Sequence, residues 1–105
     1  MSKHRQSAKI DRNQNSIIET LRKMGYSVAP GHDDIMVGVS GEYGELTLWF
    51  EIKDMETWLK CGCLKAGTIK PSQVALIQNW KGHYCICWTF DQILNEIRRQ
   101  EKLLR

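Results

Sequence analysis

Asp34 stands seventeen positions before the triplet Glu51-Ile52-Lys53. Two carboxylates and an ammonium are the groups that cation-assisted hydrolysis of a phosphodiester needs. Carboxylate oxygens hold a hard divalent ion such as Mg2+ or Mn2+, which activates water and neutralises phosphoryl charge. The segment Glu45-Leu46-Thr47-Leu48-Trp49-Phe50-Glu51-Ile52-Lys53 has the alternation of a strand. Side chains in a strand alternate faces, so Glu51 and Lys53 share one side while Leu46, Leu48, Phe50 and Ile52 take the other. Asp34 opens a second apolar run, Ile35-Met36-Val37-Gly38-Val39. If the two runs pair as neighbouring strands, Asp34 approaches Glu51. The expected metal ligands are Asp34, Glu51 and the carbonyl of Ile52. Lys53 would place its charge near the attacking water or the scissile phosphate. The competing reading of Glu51 and Lys53 is a solvated ion-pair surface, which contributes little energy. Trp49, on the face of Glu51, argues for a face that is partly covered.

The elements that must position these groups follow from pattern and punctuation. Asp11 to Gly25 reads as a helix with Ile17, Leu21 and Met24 on one stripe and Ile18 beside it. Asp11 and Gln14 have capping-box spacing, and Gly25 suits the C-terminal stop. Tyr26 to Ala29 is a short strand, Pro30-Gly31 a turn, Asp34 to Val39 a second strand. Gly41-Glu42-Tyr43-Gly44 is the hairpin connection into the third strand, Glu45 to Lys53. Asp54 to Lys70 is a long, partly irregular excursion. Pro71 suits the first position of a helix running to Lys81, with Leu76, Ile77, Trp80 and Gln73 facing inward. His83 to Thr89 is the fourth strand. Thr89 and Gln92 again have capping-box spacing and open a last helix that buries Ile93, Leu94 and Ile97. Arg98 to Arg105 reads as a charged, exposed tail apart from Leu103 and Leu104. The order helix, three strands, helix, strand, helix predicts an α/β domain with a mixed sheet.

Other reactive side chains have plainer explanations. The cysteines form two Cys-x-Cys pairs, Cys61/Cys63 and Cys85/Cys87. Four thiolates are enough for tetrahedral zinc. Structural zinc pairs usually have longer spacers, however, and Cys85 and Cys87 in a strand would pack as small apolar residues. Lys60, Lys65 and Lys70, with Trp58, are placed to grip a nucleic-acid backbone, a salt-dependent contact indifferent to sequence. The basic arm of residues 1–10 reads as a solubility feature. His32 reads as a loop histidine able to bind phosphate or shuttle a proton. No base-reading motif is visible, so shape or branch recognition is the better expectation.

A chain of 105 residues builds one domain with one core, here 11–105 after the arm. The net charge of +3 permits a nucleic-acid partner without demanding one. No apolar run has the length of a membrane span, and the basic, polar start lacks a signal-peptide core. The expected location is therefore cytoplasmic, where cysteines remain thiols.

Taken together, His32-Asp33-Asp34-Ile35-Met36-Val37-Gly38, Phe50-Glu51-Ile52-Lys53-Asp54, Lys70-Pro71-Ser72-Gln73 and Asn79-Trp80-Lys81-Gly82 resemble the PD-(D/E)xK nuclease superfamily. The nearest branch in motif order is the small stand-alone VRR-NUC and Holliday-junction-resolvase-like proteins, many from phages and mobile elements. Asp33 stands where that family usually has proline. The resemblance implies a restriction-endonuclease-like core, α-β-β-β-α-β-α, and a metal-dependent, structure-selective endodeoxyribonuclease acting on DNA as a homodimer. It implies metal on Asp34 and Glu51, water activation by Lys53 and an active-site role for Gln73, a residue that otherwise reads as a cap of its own helix. Gln14 and Glu19 are candidates for the further polar residue that many members carry on the first helix. The alternatives are a non-catalytic nucleic-acid-binding module of the same fold and a small zinc-binding adaptor.

Overall fold

The computed structural model describes residues 14–105. The basic arm and the Asp11 cap lie outside the described residues. Helix α1 runs through residues 14–23 and stops at Gly25, whose φ of 98° lies in the left-handed region that glycine adopts without a Cβ clash. The chain then forms β1 (Ser27–Pro30), β2 (Asp34–Gly41), β3 (Gly44–Ile52), α2 (Pro71–Asn79), β4 (Cys85–Cys87) and α3 (Phe90–Leu103). The sheet order is β1-β2-β3-β4, antiparallel except for the parallel pairing of β3 with β4. The described residues thus form a mixed α/β fold with a four-stranded mixed sheet and three α-helices.

Strand alternation divides the sheet into two unlike faces. Ile35 pairs with Phe50 and Val37 with Leu48, and all four are fully buried. Ile17, Ile18 and Leu21 of α1 and Ile93 and Ile97 of α3 join them in one core, with Cys87 from β4. Both helices therefore cover the same face, which carries most of the hydrophobic stabilisation. Asp34, Met36, Trp49 and Glu51 project on the opposite, outer face.

Several side chains depart from the helical and strand patterns for local reasons. Met24 is 44% exposed because it belongs to the turn at Gly25 rather than to the α1 stripe. Ile77 and Trp80 are exposed instead of inward, and only Gln73 of α2 is buried. The helix ends at Asn79, and Trp80 caps it with extended backbone, so helical periodicity no longer governs the indole. Leu46 is exposed as well, although its cross-strand partner Val39 is buried. The fourth strand is short because flanking groups replace its ladder. Trp49 N–H donates to the His83 ring at Nδ1 (3.0 Å), and the amides of Trp88 and Thr89 donate to Gln92 Oε1 in the α3 cap.

The expected tail is the end of α3. Leu104 is buried, and its carbonyl accepts from Tyr43 N–H at 2.9 Å. A Cβ added to Gly41 would stand 2.6 Å from the Leu104 Cβ, so only glycine lets the hairpin tip meet the chain end this closely. Among the described residues no helix is long and apolar enough to cross a membrane.

His83 is a strut between β3 and α3. A backbone N–H can only donate, so Nδ1 accepts from Trp49 and Nε2 carries the proton that it donates to Glu96 at 2.8 Å. Glu96 also accepts from Arg99 at 2.6 and 2.8 Å. Arg99 and the His83 bond hold the Glu96 carboxyl down at about 2, against burial, from an ordinary 4.5. A carboxylate depressed in this way stabilises the fold fully above its unfolded value, and that stability is lost as pH falls towards 2. Arg99 is largely exposed, so the contribution is of the order of 1–2 kcal/mol after screening by water. Glu96→Gln keeps an acceptor for His83 and is expected to lower neutral-pH stability by that amount. Urea melts between about pH 5 and pH 2 should show a flatter acid limb than wild type.

Candidate active site

The site begins with a register. Asp34 is the direct cross-strand partner of Glu51, so the two carboxylates leave the sheet on one face from opposed positions. Asp33, although adjacent in sequence, belongs to the next position, where its carbonyl accepts from Ile52 N–H at 2.9 Å. Within a strand the N–H and C=O of one residue face the same neighbour, so the Ile52 carbonyl is directed towards the β2 edge. Lys53 lies just past β3, and its amide donates to Cys87 O at 2.8 Å, which extends the β3–β4 ladder by one position. That continuation keeps Lys53 in step with Glu51.

Asp34 is held from three sides. Its carboxylate accepts from the Trp49 indole at 2.7 Å. Its backbone carbonyl accepts from Gly31 N–H at 2.8 Å and from Gln14 Nε2 at 3.1 Å. Gln14 is buried and also donates to Gly31 O, so α1 is bonded to the loop that introduces the aspartate. A Cβ on Gly31 would fall 2.0 Å from Asp34 Oδ1, and the carboxylate therefore occupies space that only glycine leaves open. Glu19 is exposed on α1. His32 is exposed and pairs with Asp33 at 2.9 Å.

Aromatic rings wall the outer face. Trp49 meets Tyr84 edge-on at 4.7 Å and Trp80 at 5.6 Å, confirming that this face is partly covered. The Glu51 carboxyl is raised, first by burial and further by Asp34 and Asp33, while Lys53 and Lys70 act in the opposite sense. The Tyr84 hydroxyl is buried and has no acceptor in hydrogen-bonding geometry. Burial, then the adjacent charges of Glu51 and Asp34, push this phenol up to about 12. A side-chain interaction with Glu51 raises it further, although the pair falls short of strict hydrogen-bonding geometry. Two carboxylates and an unsatisfied buried hydroxyl are oxygen groups that a small hard cation or an ordered water would bring together.

Tyr84 is not among the residues that the sequence motifs single out, although strand alternation carries a signal for it. Cys85 and Cys87 share the apolar face of β4, so Tyr84 alternates onto the face of Glu51 once β4 pairs with β3.

The remaining candidates are distributed. Gln73 is buried at the third position of α2, and its Oε1 accepts from Lys70 N–H at 3.0 Å. It caps its own helix and anchors the backbone of Lys70, the lysine of the excursion whose charge acts on Glu51. Lys60 and Lys65 are exposed on a separate hairpin spanning residues 57–65. The cysteines do not converge. Cys61 and Cys63 are exposed in that hairpin while Cys87 is in the core, and among the described residues no group of three or more His, Cys, Asp or Glu could hold a metal ion. The Asp34–Glu51 pair has two such residues and would need main-chain, hydroxyl or water oxygens to complete a shell.

No family model, curated protein or solved structure matches this chain.

A carboxyl raised in the folded state weakens the fold wherever the carboxylate is the form present. The penalty is absent below the unfolded pKa and complete above the folded one. Glu51→Gln is therefore expected to raise the melting temperature at neutral pH in chelator-treated buffer. The gain should vanish at pH values below the ordinary carboxylate range, which scanning calorimetry at two pH values would show.

Proposed function

We propose that the protein is a divalent-metal-dependent, structure-selective endodeoxyribonuclease of the PD-(D/E)xK type, working in the cytoplasm. The observation that carries this reading is the Asp34–Glu51 cross-strand pair with Lys53 in step beside it. A solvated ion-pair face would not explain an aspartate clamped by an indole, a glutamate raised by burial and a hydroxyl left without a partner.

Asp34, Glu51 and the Ile52 carbonyl would hold Mg2+ or Mn2+. When bound, such an ion lowers the pKa of water and neutralises charge on the phosphoryl oxygens. The chain's own residues do the rest. Trp49 fixes the Asp34 carboxylate, so little reorganisation is needed at reaction. Lys53 orients the attacking water and offsets negative charge at the scissile phosphate. Gln73 holds the start of α2, and with it Lys70, beside the acids. Lys60, Lys65 and Lys70 contact the DNA backbone, a positioning interaction without sequence information. Branched or otherwise structured DNA is the proposed substrate, and a homodimer would pair two sites for two cuts. The second reading, a nucleic-acid-binding module that does not cut, rests on the same lysines.

Purified protein should nick four-way-junction or flap DNA in Mg2+ or Mn2+. Glu51→Ala and Lys53→Ala are each expected to lower the rate by on the order of a hundredfold or more, with the fold retained by circular dichroism. Mn2+ should also raise the melting temperature of wild type and not that of Asp34→Asn. Retention of DNA without cutting in any divalent metal would favour the binding module.

A further inference from the structure

The chain contains the same Cys-x-Cys motif in two opposite environments. Between β3 and α2, Thr57 O accepts from Lys65 N–H at 2.8 Å, Trp58 bridges Leu64, and Leu59 N–H donates to Cys63 O at 2.7 Å. These contacts define a small hairpin with the three-residue loop Lys60-Cys61-Gly62. Gly62 N–H donates back to Leu59 O at 2.9 Å, and Gly62 has φ 85° while Lys60 and Cys61 do not have positive φ. A β-turn followed by a left-handed glycine is the common way to close a three-residue hairpin loop. Here it sets Cys61 in the middle of the loop and Cys63 at the start of the returning strand, two residues apart across one tight turn. Both cysteines are exposed.

Cys85 and Cys87 are also neighbours, with sulfurs 3.8 Å apart. Cys87, however, is fully buried in the core, and its thiol is pushed far up by its bond to Cys85 and by burial. A thiolate must form and be reached before it can exchange with a disulfide. Strand packing denies both conditions to Cys87.

We propose that Cys61 and Cys63 are a redox-active dithiol at the hairpin tip, which reduces a low-molecular-weight disulfide and closes to an intraloop disulfide. Cys61 leads the exchange: it is the exposed middle residue of the loop, and interaction with Cys63 lowers its thiol while raising that of Cys63. The Cys61 thiolate attacks one sulfur of the reagent, breaks its S–S bond and releases one equivalent as thiol. Cys63 loses its proton to water and attacks the Cys61 sulfur of the mixed disulfide, releasing the second equivalent. The two cysteines lose two electrons together, and the reagent gains them as two thiols. This assignment does not depend on the nuclease reading.

The test uses the whole, reduced, folded protein mixed with excess oxidised glutathione at neutral pH, quenched with acid, and read by intact mass and peptide mapping. The expected product has lost two hydrogens and carries a Cys61–Cys63 bridge, with Cys85 and Cys87 still thiols. Cys63→Ser should stop with one glutathionyl group on Cys61, and Cys61→Ser should form no bridge. Both positions are exposed, so neither serine variant removes core packing. A stable glutathionyl adduct on wild-type Cys61, a bridge at Cys85–Cys87 instead, or an unchanged mass would each overturn the proposal.

Discussion

The register of β2 against β3 is the constraint on which the rest depends. Strand side chains have a period of two, so a slip of one residue would turn Ile35 and Val37 outward and separate Asp34 from Glu51. Both ends of the pair resist it. At the hairpin, Gly41 pairs with Gly44 across a two-residue connection, and Gly44 adopts φ 143°. Neither Glu42 nor Tyr43 has positive φ, so the turn is not the mirror-image type that matches strand twist unaided. Leu104 packs against its tip and supports it. At the far end Gln14, Gly31 and the Ile52–Asp33 bond hold the start of β2. Two helices from opposite ends of the chain thus secure one ladder.

That ladder creates an outer face which is neither core nor ordinary surface. Trp49 has a part in all of it: its backbone N–H reaches His83, its indole reaches Asp34, and its ring meets Tyr84 and Trp80. The aromatic walls leave both acids half-buried, and the poorer solvation penalises the charged form of Glu51. Holding like charges together in such a place costs stability. Proteins commonly tolerate that cost where a cation or substrate later relieves it. Among the described residues, the Tyr84 hydroxyl is the only buried side-chain polar atom without a partner, and it lies at this spot.

The two cysteine pairs illustrate how strongly surroundings decide chemistry. In β4 the sulfurs contribute packing volume beside Phe50 and Ile97. At the hairpin tip the same spacing leaves two exposed thiols on a turn that only a glycine closes without strain.

Much of this was legible in the chain itself, because the relevant signals act over a few residues. Alternation assigned Glu51 and Lys53 to one face and Leu48 and Phe50 to the other. Gly25, Pro71 and the Thr89–Gln92 box marked helix ends where they are observed, since caps satisfy local backbone groups. The order of elements followed. Contacts between distant segments were decided only by the tertiary structure. The periodicity of Asp33 and Asp34 cannot say which one opposes Glu51, whereas the ladder pairs Asp34. Nor does any local pattern disclose that His83 replaces a backbone acceptor, that Leu104 closes the hairpin, or that Trp80 leaves its helix and turns towards Trp49. Local propensity is encoded in neighbouring residues, while register and burial arise only when surfaces remote in sequence pack together.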